Sequence, residues 1–330
     1  MRRTHLAVLG LILVLAGAAA FAVTGTGRSG ITTALHVLRD ARPGWVLAAG
    51  VCCGCALLCS AAAWKVGLHA CGGQACFSQT AARYAVGSLV NSVAPAHLGG
   101  AARIALMART LPGPDGLWRA GGVGVVVGVA RGITLALLVL AAAALGRIPL
   151  WPAPVLVVVL VGLFLLGSRA AGRFQGRLGS LLRVFGALGR TDGGGLRVLG
   201  WICGSAVARV AAAVAAAMAL GIGRPLWVGV VLLGAIALAG MIPLTPGNFG
   251  AGAGAATIAL HSVGVGLGQS LALGVAFQAI ETAASVTLGL LGTALLAAPG
   301  TQARRFALAG GLAAMALVAG MLGFAAVDIV

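Results

Sequence analysis

The chain has 330 residues, of which 60% are hydrophobic and only 8% charged, and its formal net charge is +17. So few charged side chains cannot clothe a water-soluble globule of this size, so the outer surface faces lipid. The apolar runs are rich in Ala and Gly and lack the two-residue alternation of strands, which argues against a β-barrel and leaves the α-helix as the lipid-compatible element.

In chain order, Arg2 and Arg3 precede an apolar run over 6–23. That run exceeds the about 7–15 apolar residues of a cleaved signal, so it reads as an anchor with the N-terminus on the cytoplasmic side of the cell membrane. Further apolar segments occupy 45–63, 118–145, 150–167, 198–220, 225–241, 269–297 and 306–327. Each approaches or exceeds the ~20 residues a helix needs to cross a bilayer core, which predicts an all-α, polytopic transmembrane helical bundle of about eight spanning helices. Residues 1–330 read as a single integral membrane domain.

Seven cysteines raise the question of a metal. Cys52, Cys55 and Cys59 share one helix face, but that segment has no His, Asp or Glu; Cys71 and Cys76 flank a Gly-rich turn with only His69 nearby. The ligand sets are incomplete, so no metal or cofactor is expected and the thiols read as small buried groups. The longest polar stretch, 168–197, carries Arg169, Arg173, Arg177, Arg183, Arg190 and Arg197 against Asp192. This is the signature of a basic cytoplasmic loop attracted to anionic headgroups. With only Phe174 and Phe185 available to stack bases, nucleic acid is not expected as a partner.

Two segments interrupt the helical pattern, near 81–100 and 242–263. The first contains Asn91, Pro95, His97, Gly99 and Arg103; the second contains Pro243, Pro246, Asn248 and Gly250. Setting Pro95 on Pro246 aligns His97 with Asn248 and Gly99 with Gly250, which suggests a weak internal repeat over about 45–167 and 225–297, joined by the loop 168–197. Pro removes a backbone donor and Gly permits non-helical turns, so such breaks expose polar main chain. Within a membrane they are tolerated where protein shields them or a wet cavity receives them, and paired breaks point to a transporter's substrate site. Counting crossings from the basic loop favours a broken but spanning helix at 242–263 and a re-entrant element at 81–100.

Three charges fall mid-way along apolar segments: Arg131, Arg209 and Glu281. Each costs about 2.5–3.5 kcal/mol at a helix centre, so each is expected to face the bundle interior and find a partner. Arg131 or Arg209 can pair with Glu281; the arginine left over suits a lipid phosphate, which guanidinium matches bidentately. Ser270, Gly274, Gln278, Glu281, Ser285 and Gly289 repeat at three or four residues and form a small, polar stripe. Gly124, Gly128 and Gly132 form a similar ridge for packing, within the chain or between protomers of a homo-oligomer.

The pattern Asn91…Pro95…Gly99-Gly100…Arg103, followed by Pro243…Pro246-Gly247…Gly250, resembles the flippase-like membrane region of the lysylphosphatidylglycerol synthase family, over roughly residues 6–297. The resemblance implies a multi-helix membrane protein that translocates aminoacylated phospholipids or serves polyprenyl-linked glycan assembly. It also implies an acid near Ala101, an Arg-Glu pair near Gly252 and Ala253, and an arginine near Gln278, all missing here, whereas Arg103 and Arg131 match basic positions. A cationic headgroup is harder to hold without those acids.

An enzyme is not expected: the chain has five acids, and His5, His36, His69, His97 and His261 are scattered. The length leaves no room for the soluble aminoacyl-transfer domain of larger family members. The reading is therefore a lipid flippase-like transporter of a phospholipid or polyprenyl-phosphate-linked headgroup. The interrupted segments, together with Gln278 and Glu281, would form its polar path, and Arg103, Arg131 and Arg209 would guide the phosphate. The alternatives are a non-transporting membrane subunit partnering a lipid or glycan transferase, and a small-solute permease.

Overall fold

The computed structural model describes residues 32–34, 36–93, 98–144, 158, 162, 176–190, 193–239, 249–297, 301–302, 305 and 309–310. Among these the regular elements are helices: α1 Pro43–Ala70, α2 Phe77–Val93, α3 Leu98–Ala108, α4 Gly116–Ala144, α5 Gly176–Arg190, α6 Gly194–Ala219, α7 Pro225–Ala239, α8 Phe249–Ser262 and α9 Leu267–Leu296. Four of them, α1, α4, α6 and α9, are long and apolar enough to cross a membrane. They match the predicted segments 45–63, 118–145, 198–220 and 269–297. The segment 6–23, and all but single positions of 150–167 and 306–327, lie outside the described residues. The described residues of the segment 225–241 form the 15-residue α7.

Local chemistry sets the helix ends. Pro43 sits in the first turn of α1, where its missing N–H would have had no partner anyway. The helix stops at Cys71 and Gly72; Gly72 adopts φ +82, and the N–H of Gly73 donates back to the Leu68 carbonyl at 2.9 Å.

Helices α1 and α6 lie antiparallel at the centre. Near one end the Arg42 N–H donates to the Ala219 carbonyl at 2.9 Å, and further in Ser205 Oγ donates to the Ala56 carbonyl at 2.8 Å. Small buried residues line this interface, among them Ala49, Cys53, Ala212, Ala213 and Ala216. Without a hydrophobic drive between helices in lipid, such side chains let backbones approach and gain dispersion contact.

Helices α2 and α3 fold back on one another. A Cβ at Gly99 would lie 2.4 Å from the Asn91 Cβ and from the Gly87 carbonyl oxygen, and one at Gly87 would lie 2.8 Å from the Arg103 Cβ. This antiparallel hairpin leaves from the end that holds the α1–α2 and α3–α4 turns, which Arg119 ties together by donating to the carbonyls of Cys71 and Pro112. Helices α7 and α8 also pack on each other. They leave from the opposite end, where short turns join them to α6 and α9. At 1.5 Å per residue the described parts of these four helices span about 17–26 Å. For 242–263, expected to cross as a broken helix, the described part is the 14-residue α8; residues 242–248 lie outside the described residues.

The stretch 168–197, expected as a polar loop, holds α5 and the first turn of α6. Val184, Phe185 and Leu188 of α5 are buried in the cluster that includes Val123, Val126 and Val127 of α4. Arg183 faces outward and pairs with Asp115 at 3.4 Å. Charge dominates the composition of this stretch, but the apolar residues at i, i+1 and i+4 share a face, and that face folds it.

Candidate polar site within the bundle

The polar groups of the bundle gather where α1, α2, α3, α4 and α6 meet, with α9 beside them. Tyr84 of α2 is their centre and is buried. Arg131, near the middle of α4, donates from Nη2 to Tyr84 Oη at 2.6 Å and to Ser60 Oγ at 3.3 Å. Arg103 of α3 stacks its guanidinium 4.0 Å above the Tyr84 ring and donates to Ser88 Oγ at 3.1 Å. A guanidinium over a desolvated aromatic face is worth about 2 kcal/mol.

The hydroxyls are turned to serve these cations. Ser205 commits its proton to the Ala56 carbonyl, so the 2.9 Å contact between Ser60 and Ser205 has Ser60 as donor. Ser60 Oγ therefore accepts from Arg131. Ser88 likewise donates to the Tyr84 carbonyl at 3.2 Å and accepts from Arg103. The two guanidiniums are thus met by hydroxyl oxygens rather than by carboxylates.

Arg209 of α6, one turn beyond Ser205, pairs with Glu281 of α9 at 2.6 Å. Their side chains are 39% and 31% exposed, so the pair is not sealed in the core. Tyr84 is within electrostatic range of Arg209. Arg103 and Arg209 each keep a buried Nε without a hydrogen-bond partner among the described residues. Left unmade, a buried donor costs about 1–3 kcal/mol, more when charged.

Of the candidate residues, Arg103 and Arg131 come together on Tyr84, and Arg209 rather than Arg131 takes the Glu281 carboxylate. Asn91 and Gly99 belong to the hairpin contact of α2 with α3. Gln278 is buried on α9, one turn before Glu281. Much of the stripe around it serves packing: a Cβ at Gly274 would meet the Ala253 carbonyl at 2.9 Å, and one at Gly289 would meet the Leu89 Cβ at 2.4 Å. Pro95, His97, Pro246 and Asn248 lie outside the described residues, and Gly250 falls in the first turn of α8. In the Gly ridge of α4, Gly124 receives the Trp64 ring, whereas Gly128 faces open space.

Tyr84, Ser60, Ser88 and Ser205 were not among the residues expected from the sequence. Tyr84 is the single tyrosine of the chain, and a lone phenol in an Ala/Gly-rich helix was the available signal.

The family model described as the lysylphosphatidylglycerol synthase TM region matches residues 7–289. The chain belongs to that family. The match is to its membrane region and includes every residue of the polar cluster. No curated protein gives a significant match to the chain. For this family member the structure adds that Ala101, near which the resemblance implies an acid, is an exposed residue of α3, and that Ala253 is buried against α9. The apolar helices and the family together make it a multi-pass membrane protein.

Proposed function

We propose that the protein is a flippase-like transporter that moves the headgroup of a phospholipid or polyprenyl-phosphate-linked lipid across the plasma membrane, with its N-terminus in the cytoplasm and no catalysis of its own. The observation that carries this reading is the pair Arg103 and Arg131 on Tyr84, with the Arg209–Glu281 ion pair on neighbouring helices, within an apolar bundle. Charge in such a bundle is costly and marks pathways. Two further features support it. The short hairpins α2–α3 and α7–α8 leave from opposite ends, and the pairings match across the halves: α1 with α2 as α6 with α7, α3 with α4 as α8 with α9, and α1 with α9 as α6 with α4. These pairings support reading α1–α4 and α6–α9 as the halves of an inverted repeat, and in such transporters the substrate site lies near the midplane between the repeats.

The test uses the full chain in vesicles containing tail-labelled fluorescent phosphatidylglycerol, phosphatidic acid and polyprenyl phosphate. Leaflet exchange is followed by impermeant quenching. The protein accelerates exchange of at least one probe, and Arg131→Ala abolishes this while leaving helicity and monodispersity intact. Unchanged exchange in Arg131→Ala contradicts the proposal. Acceleration of none, with co-purification of a transferase, moves the protein to the role of a membrane subunit.

A further inference from the structure

Resting on that reading, we infer that the site selects a headgroup bearing two negative charges, a terminal phosphomonoester or a diphosphate, over singly charged phosphodiesters and zwitterions. Arg103 and Arg131 sit on Tyr84 without a carboxylate partner, while Arg209 has its own in Glu281, so two guanidiniums at Tyr84 are left without a carboxylate. Among the described residues no other carboxylate reaches them. Asp40 lies in the turn before α1, Asp115 is held by Arg183 at the bundle's end, and Asp192 and Asp328 lie outside the described residues.

The donors fit the same ligand. Among the described residues Arg131 bonds through Nη2 alone, and Arg103 and Arg209 each have a buried Nε with no acceptor. A phosphomonoester presents three terminal oxygens and a diester two. Guanidinium recognises such oxygens in pairs, and the surrounding hydroxyls of Ser60 and Ser88 neutralise nothing.

The cluster is also not a requirement of the fold. In the register that sets Pro95 on Pro246, Arg103 falls on Gly254, Arg131 on Thr282, Arg209 on Leu58, Tyr84 on Ala235 and Glu281 on Ala130. None of these equivalent positions is charged, and the matching helices still pack on one another. Each charge is thus present in one half and missing from its equivalent position in the other, as a ligand site rather than as the fold's cement.

The test is native mass spectrometry of the full chain in detergent at pH 8, where a phosphomonoester with a second pKa of about 6 is doubly charged. Tail-matched phosphatidic acid, phosphatidylglycerol and phosphatidylethanolamine are offered together. Phosphatidic acid is retained at least about tenfold over the other two, because one more unit charge acts at close range in a partly dry site. Arg131→Gln and Arg209→Gln bring the ratio near one, and Arg131→Lys keeps it. Equal retention of phosphatidic acid and phosphatidylglycerol by the unaltered protein overturns the inference, as does a preference that survives Arg131→Gln. Inorganic pyrophosphate binding as tightly as phosphatidic acid assigns the site to a free anion and overturns the lipid headgroup. Selective retention without exchange of any fluorescent probe defeats the transport reading and leaves this inference standing; exchange that treats the two lipids alike does the reverse.

Discussion

Tyr84→Phe isolates one link in the polar cluster. It removes the acceptor that sits 2.6 Å from Arg131 Nη2 while keeping the ring that lies 4.0 Å below Arg103. A hydrogen bond to a charged group contributes about 1.5–3 kcal/mol. Arg131 is an exposed residue and also reaches Ser60 at 3.3 Å, so partial replacement places the cost near about 1.5 kcal/mol. Tyr84→Ala also withdraws the ring from Arg103 and opens a cavity, and truncating a buried aromatic residue costs about 3–5 kcal/mol. Thermal unfolding in micelles, followed by a thiol-reactive dye, reads both changes, because Cys53 and Cys71 are buried free thiols that open on unfolding. A double-mutant cycle of Tyr84→Phe with Arg131→Gln should return a coupling of about 1 kcal/mol. An unfolding midpoint unmoved by Tyr84→Phe, together with an additive cycle, would refute the bond as a structural contributor.

The glycine contacts give paired expectations. Gly99→Ala pushes a Cβ into the Gly87 carbonyl and should abolish the monodisperse peak, whereas Gly100→Ala, with nothing within 4 Å, should leave chromatography unchanged. Gly292→Ala places a Cβ 2.6 Å from the Ala82 carbonyl oxygen and should cost about 1–3 kcal/mol by overpacking in the same thermal assay; Gly128→Ala should cost nothing measurable. Outside the bundle, the exposed Cys76 thiol is held below the usual range by its hydrogen bond with Ser78, while burial pushes Cys71 up. Impermeant maleimide should therefore label Cys76 faster than Cys71 near neutral pH. The advantage should narrow as pH rises, and labelling should come from the same membrane side as in an Asp115→Cys variant.

The long helices were legible because a run of apolar residues near the length of the bilayer core admits one backbone solution in lipid. Arg131, Arg209 and Glu281 were equally legible, since a charge in such a run is costly and has to be explained. Pairing was not: Arg131 and Arg209 lie at similar depth, and only the packing of α6 beside α9 decides that Arg209 takes Glu281. The serines and Tyr84 escaped because an isolated hydroxyl in a helix carries no sequence sign of its partner: Ser88 bonds the Tyr84 carbonyl one turn back, whereas Ser205 donates across to Ala56. The helix in 168–197 escaped because six arginines outweigh a three-residue apolar face in composition but not in packing.

The most direct test is the structure of the full chain in a nanodisc doped with phosphatidic acid. The account predicts a phosphate within hydrogen-bond reach of Arg131 and Arg103, at the depth of Tyr84. Lipid phosphates confined to the two bilayer surfaces, with the three guanidiniums held by protein oxygens alone, would contradict it.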